Sequence, residues 1–147
     1  MAAPPGPVAA ATGAERAMFD FVDAYDRAFE RAAQEHGLSM AQACVLGRVG
    51  RDRGMRELAD ELGCDASNIT QIIRRLEARG LVRRRPHPED GRSRQIVRTP
   101  EGTTLYAAFE ESFAFARAVT AGLSADERDQ LTVLLRKALD AASRPTP

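Results

Sequence analysis

The amino-acid sequence predicts a mainly α fold with one small β-hairpin, an α+β chain in which short helices and the hairpin are flanked by longer helices. Three observations predict it. Apolar residues recur at helical spacing in six segments. Glycines and Ser, Thr or Asp residues stand at the ends of those segments as stops and caps. Between Gly80 and Thr99 the helical period gives way to two short runs around the turn-rich Pro86-His87-Pro88-Glu89-Asp90-Gly91. The 147 residues are 44% hydrophobic and 29% charged, a globular composition, and suffice for one domain or two small, closely packed parts. No run approaches the ~18 apolar residues of a membrane span, and the Ala/Pro-rich start lacks the basic and apolar regions of a secretory signal. A cytoplasmic protein without membrane contact is expected.

In chain order, residues 1–13 (Pro, Ala and Gly, without charge or period) are expected to be a disordered lead-in. From Ala14 to Glu35, Met18, Val22, Tyr25 and Phe29 form the stripe of an amphipathic helix that His36-Gly37 ends. Ser39 and Gln42 make a capping-box pattern for a second helix to about Val49, closed by Gly50 and the charged residues 51–53. Residues 55–62 (MRELADEL) form a short helix stopped by Gly63. Asp65 then caps a helix from Ala66 to about Arg79, which Gly80 terminates. Leu81 to Arg85 and Arg94 to Arg98 read as the strands of the hairpin, so a helix-turn-helix is followed by a β-hairpin. Thr99-Pro100 restarts helix, with Leu105, Phe109, Phe113 and Ala116 carrying one stripe toward Ala121. Ser124 and Glu127 form a second capping box, opening a last helix with Leu131, Leu134, Leu135 and Ala138 in register.

Charge points to function. The chain is neutral, with 21 basic and 21 acidic residues, yet residues 66–98 hold nine arginines against Glu77, Glu89 and Asp90. So concentrated an excess is the footprint of a polyanion-binding surface on an otherwise acidic body. On the helix from Ala66, Ile69, Ile72, Ile73 and Leu76 share one narrow arc and belong in the core. The opposite arc holds Ser67, Gln71 and Arg74, flanked by Asn68 and Arg75. Short polar groups in the first turns can read base edges in a major groove, and the following arginines can reach phosphates. At the hairpin tip Arg92 and Arg94 can enter a minor groove or clamp phosphates, with Asp90 placed to hold an arginine. Arg83 to Arg85 read as the solvated charge of an edge strand.

The run LADELGCDASNITQIIRRLEARGLVRRRPHPEDGRSRQIVRTPEG, with LSADERDQLTVLLRKAL near the end, resembles the multiple antibiotic resistance regulator (MarR) family of bacterial transcription factors. The resemblance covers residues 15 to 142. It is carried by LEARGLV (76–82), Asp90-Gly91-Arg92 and Thr99-Pro100-Glu101-Gly102 together. It implies a winged helix-turn-helix DNA-binding domain at residues 38–99. Dimerisation helices at 14–37 and 100–142 would interlock in a homodimer. It implies binding to a palindromic promoter site on double-stranded DNA, often as a repressor released by a small phenolic or other lipophilic effector, or by thiol oxidation. The apolar stripes of the first and last helices, and the several apolar arcs of the helix from Pro100, fit this: they exceed what one protomer readily buries. Carried over by position, base reading falls on Ser67, Asn68, Thr70 and Gln71, and the wing-tip role on Arg92. Arg94 is expected as a backbone contact, beside the phosphate role that the helix projection gives Arg74 and Arg75. One departure is Arg98, where relatives usually carry an aliphatic residue before the threonine; either weaker strand packing or an added phosphate contact follows.

Cys44 and Cys64 are too few for a disulfide framework and lie in no metal-binding spacing, so neither a structural metal nor a cofactor is expected. Packing is the expected role of both thiols, with little direct response to peroxide. An effector pocket is expected between the dimerisation helices and the winged domain, near Arg16, Tyr25 and His36, with His36 solvated at its helix end. Two histidines and no GxSxG, P-loop or GxGxxG motif argue against an enzyme. The alternative is a winged helix used only to bind protein, which would expose apolar rather than polar residues on the helix from Ala66.

Overall fold

The computed structural model describes residues 9–50 and 53–144, which fall into two compact units dividing after Phe113. The first unit begins with α1 (Gly13–Glu35) and α2 (Met40–Arg48). There follow β1 (Arg53–Gly54), α3 (Met55–Leu62), α4 (Ala66–Ala78), β2 (Val82–Pro86), β3 (Arg94–Arg98) and α5 (Pro100–Ser112). The second unit contains α6 (Phe115–Ala121) and α7 (Ala125–Ala142).

Local chemistry sets these boundaries. Ser39 and Gln42 complete a reciprocal capping box on α2, and Ser124 and Glu127 do the same on α7. Gly37, Gly63 and Gly80 take φ of 65°, 59° and 69° just past α1, α3 and α4, the left-handed turn that an L side chain resists. Fully buried Val45, Leu46, Val49, Leu58, Ile69, Ile73, Leu76, Ile96 and Phe109 come from α2, the segment after it, α3, α4, β3 and α5, and form one core. The arc expected of Ile69, Ile72, Ile73 and Leu76 is the buried face of α4.

Four expectations need correction. Residues 1–8 of the presumed disordered lead-in lie outside the described residues, as do Arg51 and Asp52, but the end of that segment is ordered. Thr12 caps α1 by accepting from the Glu15 N–H, and the Ala11 N–H donates to the Glu15 carboxylate at 2.6 Å. The sheet has three antiparallel strands in the order β1-β3-β2, with Arg53 opposite Ile96. Two residues of β1 carry no period-2 signal, which is why the sequence pattern reveals only a hairpin. β2 begins at Val82 rather than Leu81, because the Leu81 N–H closes the end of α4 by donating to the Leu76 carbonyl at 3.0 Å. Finally, the helix expected from Pro100 to Ala121 ends at Ser112. Phe113 leaves helical geometry at ψ 74°, with its ring edge-on to Tyr25 and Phe29 and stacked on Phe109. No Gly or Pro marks that break; packing of the four aromatic rings overrides helix propensity.

Within the second unit, Arg128 donates to the carbonyls of Thr120 and Leu123, satisfying the C-terminal end of α6. Neither α6 nor α7 has a buried residue.

Candidate nucleic-acid interface

The candidate surface is built on α4 and the wing, β2 and β3 with the loop between them. Asp65 fixes the start of α4: its carboxylate accepts from the Asn68 N–H at 2.8 Å and the Ser67 hydroxyl at 2.7 Å. These bonds, the Asn68 N–H first, hold the Asp65 carboxyl below the usual aspartate range. Ser67 is therefore oriented by the cap. The Thr70 hydroxyl donates back to the Ala66 carbonyl at 2.8 Å on a half-buried side chain, so it is committed to the helix backbone. Asn68, Gln71, Arg74 and Arg75 are exposed, and their side chains make no hydrogen bond or ion pair with another described residue. α4 thus brings Ser67, Asn68, Gln71, Arg74 and Arg75 to its solvent side, with no large apolar residue among them.

The wing is tied to this helix. Arg84 on β2 meets Glu77 on α4 at 3.1 Å. β2 pairs with β3 from Val82 opposite Arg98 to Pro86 opposite Arg94, leaving β2 at the sheet edge where its arginines were expected. At the tip, Asp90 acts differently from expectation. Its carboxylate accepts from the Arg92 backbone N–H at 3.0 Å and the Ser93 hydroxyl at 2.9 Å, so it holds the turn and not a guanidinium. Those bonds, led by the Arg92 N–H, lower the Asp90 pKa. A carboxylate two residues before Arg92 meets that N–H at lower conformational cost than the far end of a long side chain. The Arg92 and Arg94 guanidinium groups are left exposed without a described partner.

The nine arginines of residues 66–98 divide by role. Arg79 donates to the Gly37 carbonyl at 2.7 Å, Arg84 pairs with Glu77, and Arg85 bonds Gln95 at 3.3 Å. Arg98 turns inward: its guanidinium lies 4.4 Å over the Tyr106 ring and donates to the Gly47 carbonyl. Burial pulls its pKa down, with Tyr106 and Glu110 opposing. The two outcomes left open for Arg98 are thus replaced by a third, a half-buried cation that joins β3 to α2 and α5 through a cation–π contact. Arg74, Arg75, Arg83, Arg92 and Arg94 remain as unpaired exposed cations among the described residues. Arg83 was not singled out from the sequence, because only the register of β2 tells it from its two neighbours.

The other singled-out residues lie apart from this surface. Tyr25 joins the aromatic cluster and His36 Nε2 lies 2.7 Å from the Ser112 hydroxyl, while Arg16 is exposed on α1. A polar cleft of about 580 Å³ at the base of the wing is lined instead by Gly47, Arg48, Gly50, Arg53, Arg98, Tyr106 and Glu110. Both cysteines are free and half-buried. Burial raises the Cys44 thiol pKa, against the opposing charge of Arg48, and the Cys64 thiol points at the Leu62 carbonyl. Among the described residues no cluster of His, Cys, Asp or Glu could hold a metal ion, and no helix is long and apolar enough to cross a membrane.

Residues 36–93, which span α2 to the wing tip, match the MarR family profile. The chain is 34% identical over 136 residues to the HTH-type transcriptional regulator YkoM of Bacillus subtilis, covering 84% of this chain and 86% of that one. Wild-type MarR of E. coli in its apo form superimposes with a TM-score of 0.72 at 24% identity, over 90% of this chain and 99% of that one. A mutant E. coli MarR complexed with operator DNA gives 0.68 at 26% identity, over 84% and 91% of the two chains.

Proposed function

Because this chain belongs to the MarR family, whose members are transcriptional regulators and not enzymes, we propose that it binds a palindromic promoter site as a homodimer and represses transcription there. The observation that carries this reading is the exposure of Asn68, Gln71, Arg74, Arg75, Arg83, Arg92 and Arg94 on α4 and the wing of a neutral chain, without partners among the described residues. In the proposed mode α4 lies in a major groove. Ser67, Asn68, Thr70 and Gln71 face base edges, with Arg74 and Arg75 on phosphates. Arg92 enters the flanking minor groove and Arg94 contacts the backbone. The relative bound to operator DNA supports the same use of this fold.

The homodimer is supported by apolar surface that the chain leaves open. Met18, Phe21, Val22 and Tyr25 are exposed at i, i+3, i+4 and i+7 on α1, and Val133, Leu134, Leu135 and Leu139 are exposed on α7. Single exposed apolar residues are ordinary, but two such groups are the kind of surface an oligomer covers. Release by a small lipophilic or phenolic effector completes the proposal, with the cytoplasm as its setting. The Arg98 guanidinium and the Tyr106 ring give the wing-base cleft groups suited to a phenolic oxygen and its ring.

The test is binding of the purified chain to a fragment of its own upstream promoter at two salt concentrations, against excess nonspecific DNA. Arg92→Ala should weaken binding to all sequences and reduce the salt slope by about one, whereas Gln71→Ala should change which base is preferred. Unaltered binding in both variants would remove the proposed mode.

A further inference from the structure

The wing loop is held by a side chain that the proposed DNA contacts do not use. His87 is half-buried between exposed Pro86 and Pro88. Its Nδ1 accepts from the backbone N–H groups of Glu89 at 3.1 Å and Asp90 at 3.3 Å. Both donors are backbone N–H groups, so Nδ1 carries the lone pair and the neutral ring keeps its proton on Nε2. The His87 N–H in turn donates to the Ser93 carbonyl at 3.0 Å, and the Ser93 N–H to the Asp90 carbonyl at 3.1 Å. Asp90 then repeats the device three residues on, taking the Arg92 N–H and the Ser93 hydroxyl. Two successive side-chain turns, the first from His87 and the second from Asp90, therefore satisfy the backbone that leads to Arg92. A ring nitrogen here does what an Asp or Asn oxygen commonly does in a turn.

We propose that uncharged His87 is the positioning residue of the wing: its Nδ1 gathers the Glu89 and Asp90 N–H groups and sets the loop from which Arg92 is offered to DNA. The proposal rests on the DNA-binding reading given above. A second proton on the ring converts Nδ1 from acceptor to donor, which releases both N–H groups and loosens the path to Arg92. The chain's other histidine, His36, is bonded to Ser112 at the far end of α1, so the two ring signals are told apart by mutation.

The full-length chain tests this first without DNA. Ring 15N signals of His87 should show the Nε2–H tautomer at neutral pH, and the Glu89 and Asp90 amide signals should move with the ring as it gains its proton. An Nδ1–H tautomer, or amides that do not follow the ring, overturns the proposal. The second arm uses a duplex selected from random DNA by the wild-type chain. His87→Ala should weaken binding about five-fold, the loss expected for one hydrogen bond of net ~1 kcal/mol, and His87→Asn should restore most of it. On an Arg92→Ala background the loss from His87→Ala should shrink below about two-fold. An equal His87→Ala loss on both backgrounds would mean that the ring itself contacts DNA, and it sinks the proposal. A correct ring signature with flat DNA binding in both His87→Ala and Arg92→Ala would instead sink the use of the wing on DNA, a pattern distinct from failure of the ring chemistry.

Discussion

Thr99 serves two backbone groups at once: its hydroxyl donates to the Gly80 carbonyl at 2.6 Å and accepts from the Gly102 N–H at 3.0 Å, which locks α5 to the start of the wing. Gly102 completes that junction, since a Cβ there would run into the Leu81 carbonyl oxygen and the Arg98 side chain. The backbone oxygen cannot move aside without breaking its bond to the Thr99 N–H. Gly102→Ala should therefore destabilise the chain by about 2 kcal/mol, as overpacking of a rigid site does, measured by urea unfolding with an unchanged slope. Cys44 should resist mild peroxide and thiol reagents in the folded chain, because burial keeps its thiol protonated; rapid modification with loss of DNA binding would contradict this. At this scale the sequence was legible where a residue acts on its near neighbours. Asp65 as a cap, Ser39 with Gln42, and Thr99-Pro100 all follow from spacing alone. It was opaque where a long side chain chooses among distant partners. Nothing local tells Arg98, which turns onto Tyr106, from Arg94, which stays in solvent.

Helices close at the expected residues wherever a cap or glycine fixes them, and Ser39→Ala should cost about 1 kcal/mol by removing one arm of the α2 capping box. The turn carboxylates give the chain an acid limb. Asp65 at the start of α4 and Asp90 in the wing both have lowered pKa values through bonds to backbone N–H groups and hydroxyls. Such groups contribute stability above their unfolded pKa, and it is lost as pH falls through the lower folded value. Below about pH 4, Asp65→Asn should thus flatten the fall of unfolding midpoint with pH. An unchanged acid limb in that variant would show that the cap carries no charge-dependent bond. Elements were misjudged where the local pattern is too short to read or where tertiary packing outweighs it. β1 is too short for a period, and the break at Phe113 is made by rings contributed from α1 and α5. The candidate site was legible as a helix face and a loop. Its division into free and committed groups was not, because Glu77 reaches Arg84 across two elements.

For the whole molecule, composition conceals function and distribution reveals it. The zero net charge hides the arginine-rich stretch of residues 66–98, five of whose cations stay unpaired and exposed among the described residues. The apolar stripes of α1 and α7 were legible as periodic sequence, but which of their residues stay exposed was not. Replacing Leu134 and Leu135 together by Glu should give a monomer by sedimentation and lower affinity for a two-half-site duplex by more than ten-fold, since half of the contacts are lost. A dimer that survives this change would place the interface elsewhere. The central claim is sequence-specific DNA binding, and the most direct measurement is selection of duplexes from a random pool by the purified full-length chain at low and high salt. The expected result is enrichment of one palindrome, with half-sites about one helical turn apart, and affinity that falls steeply with salt. A pool that stays random at both salt concentrations would contradict it.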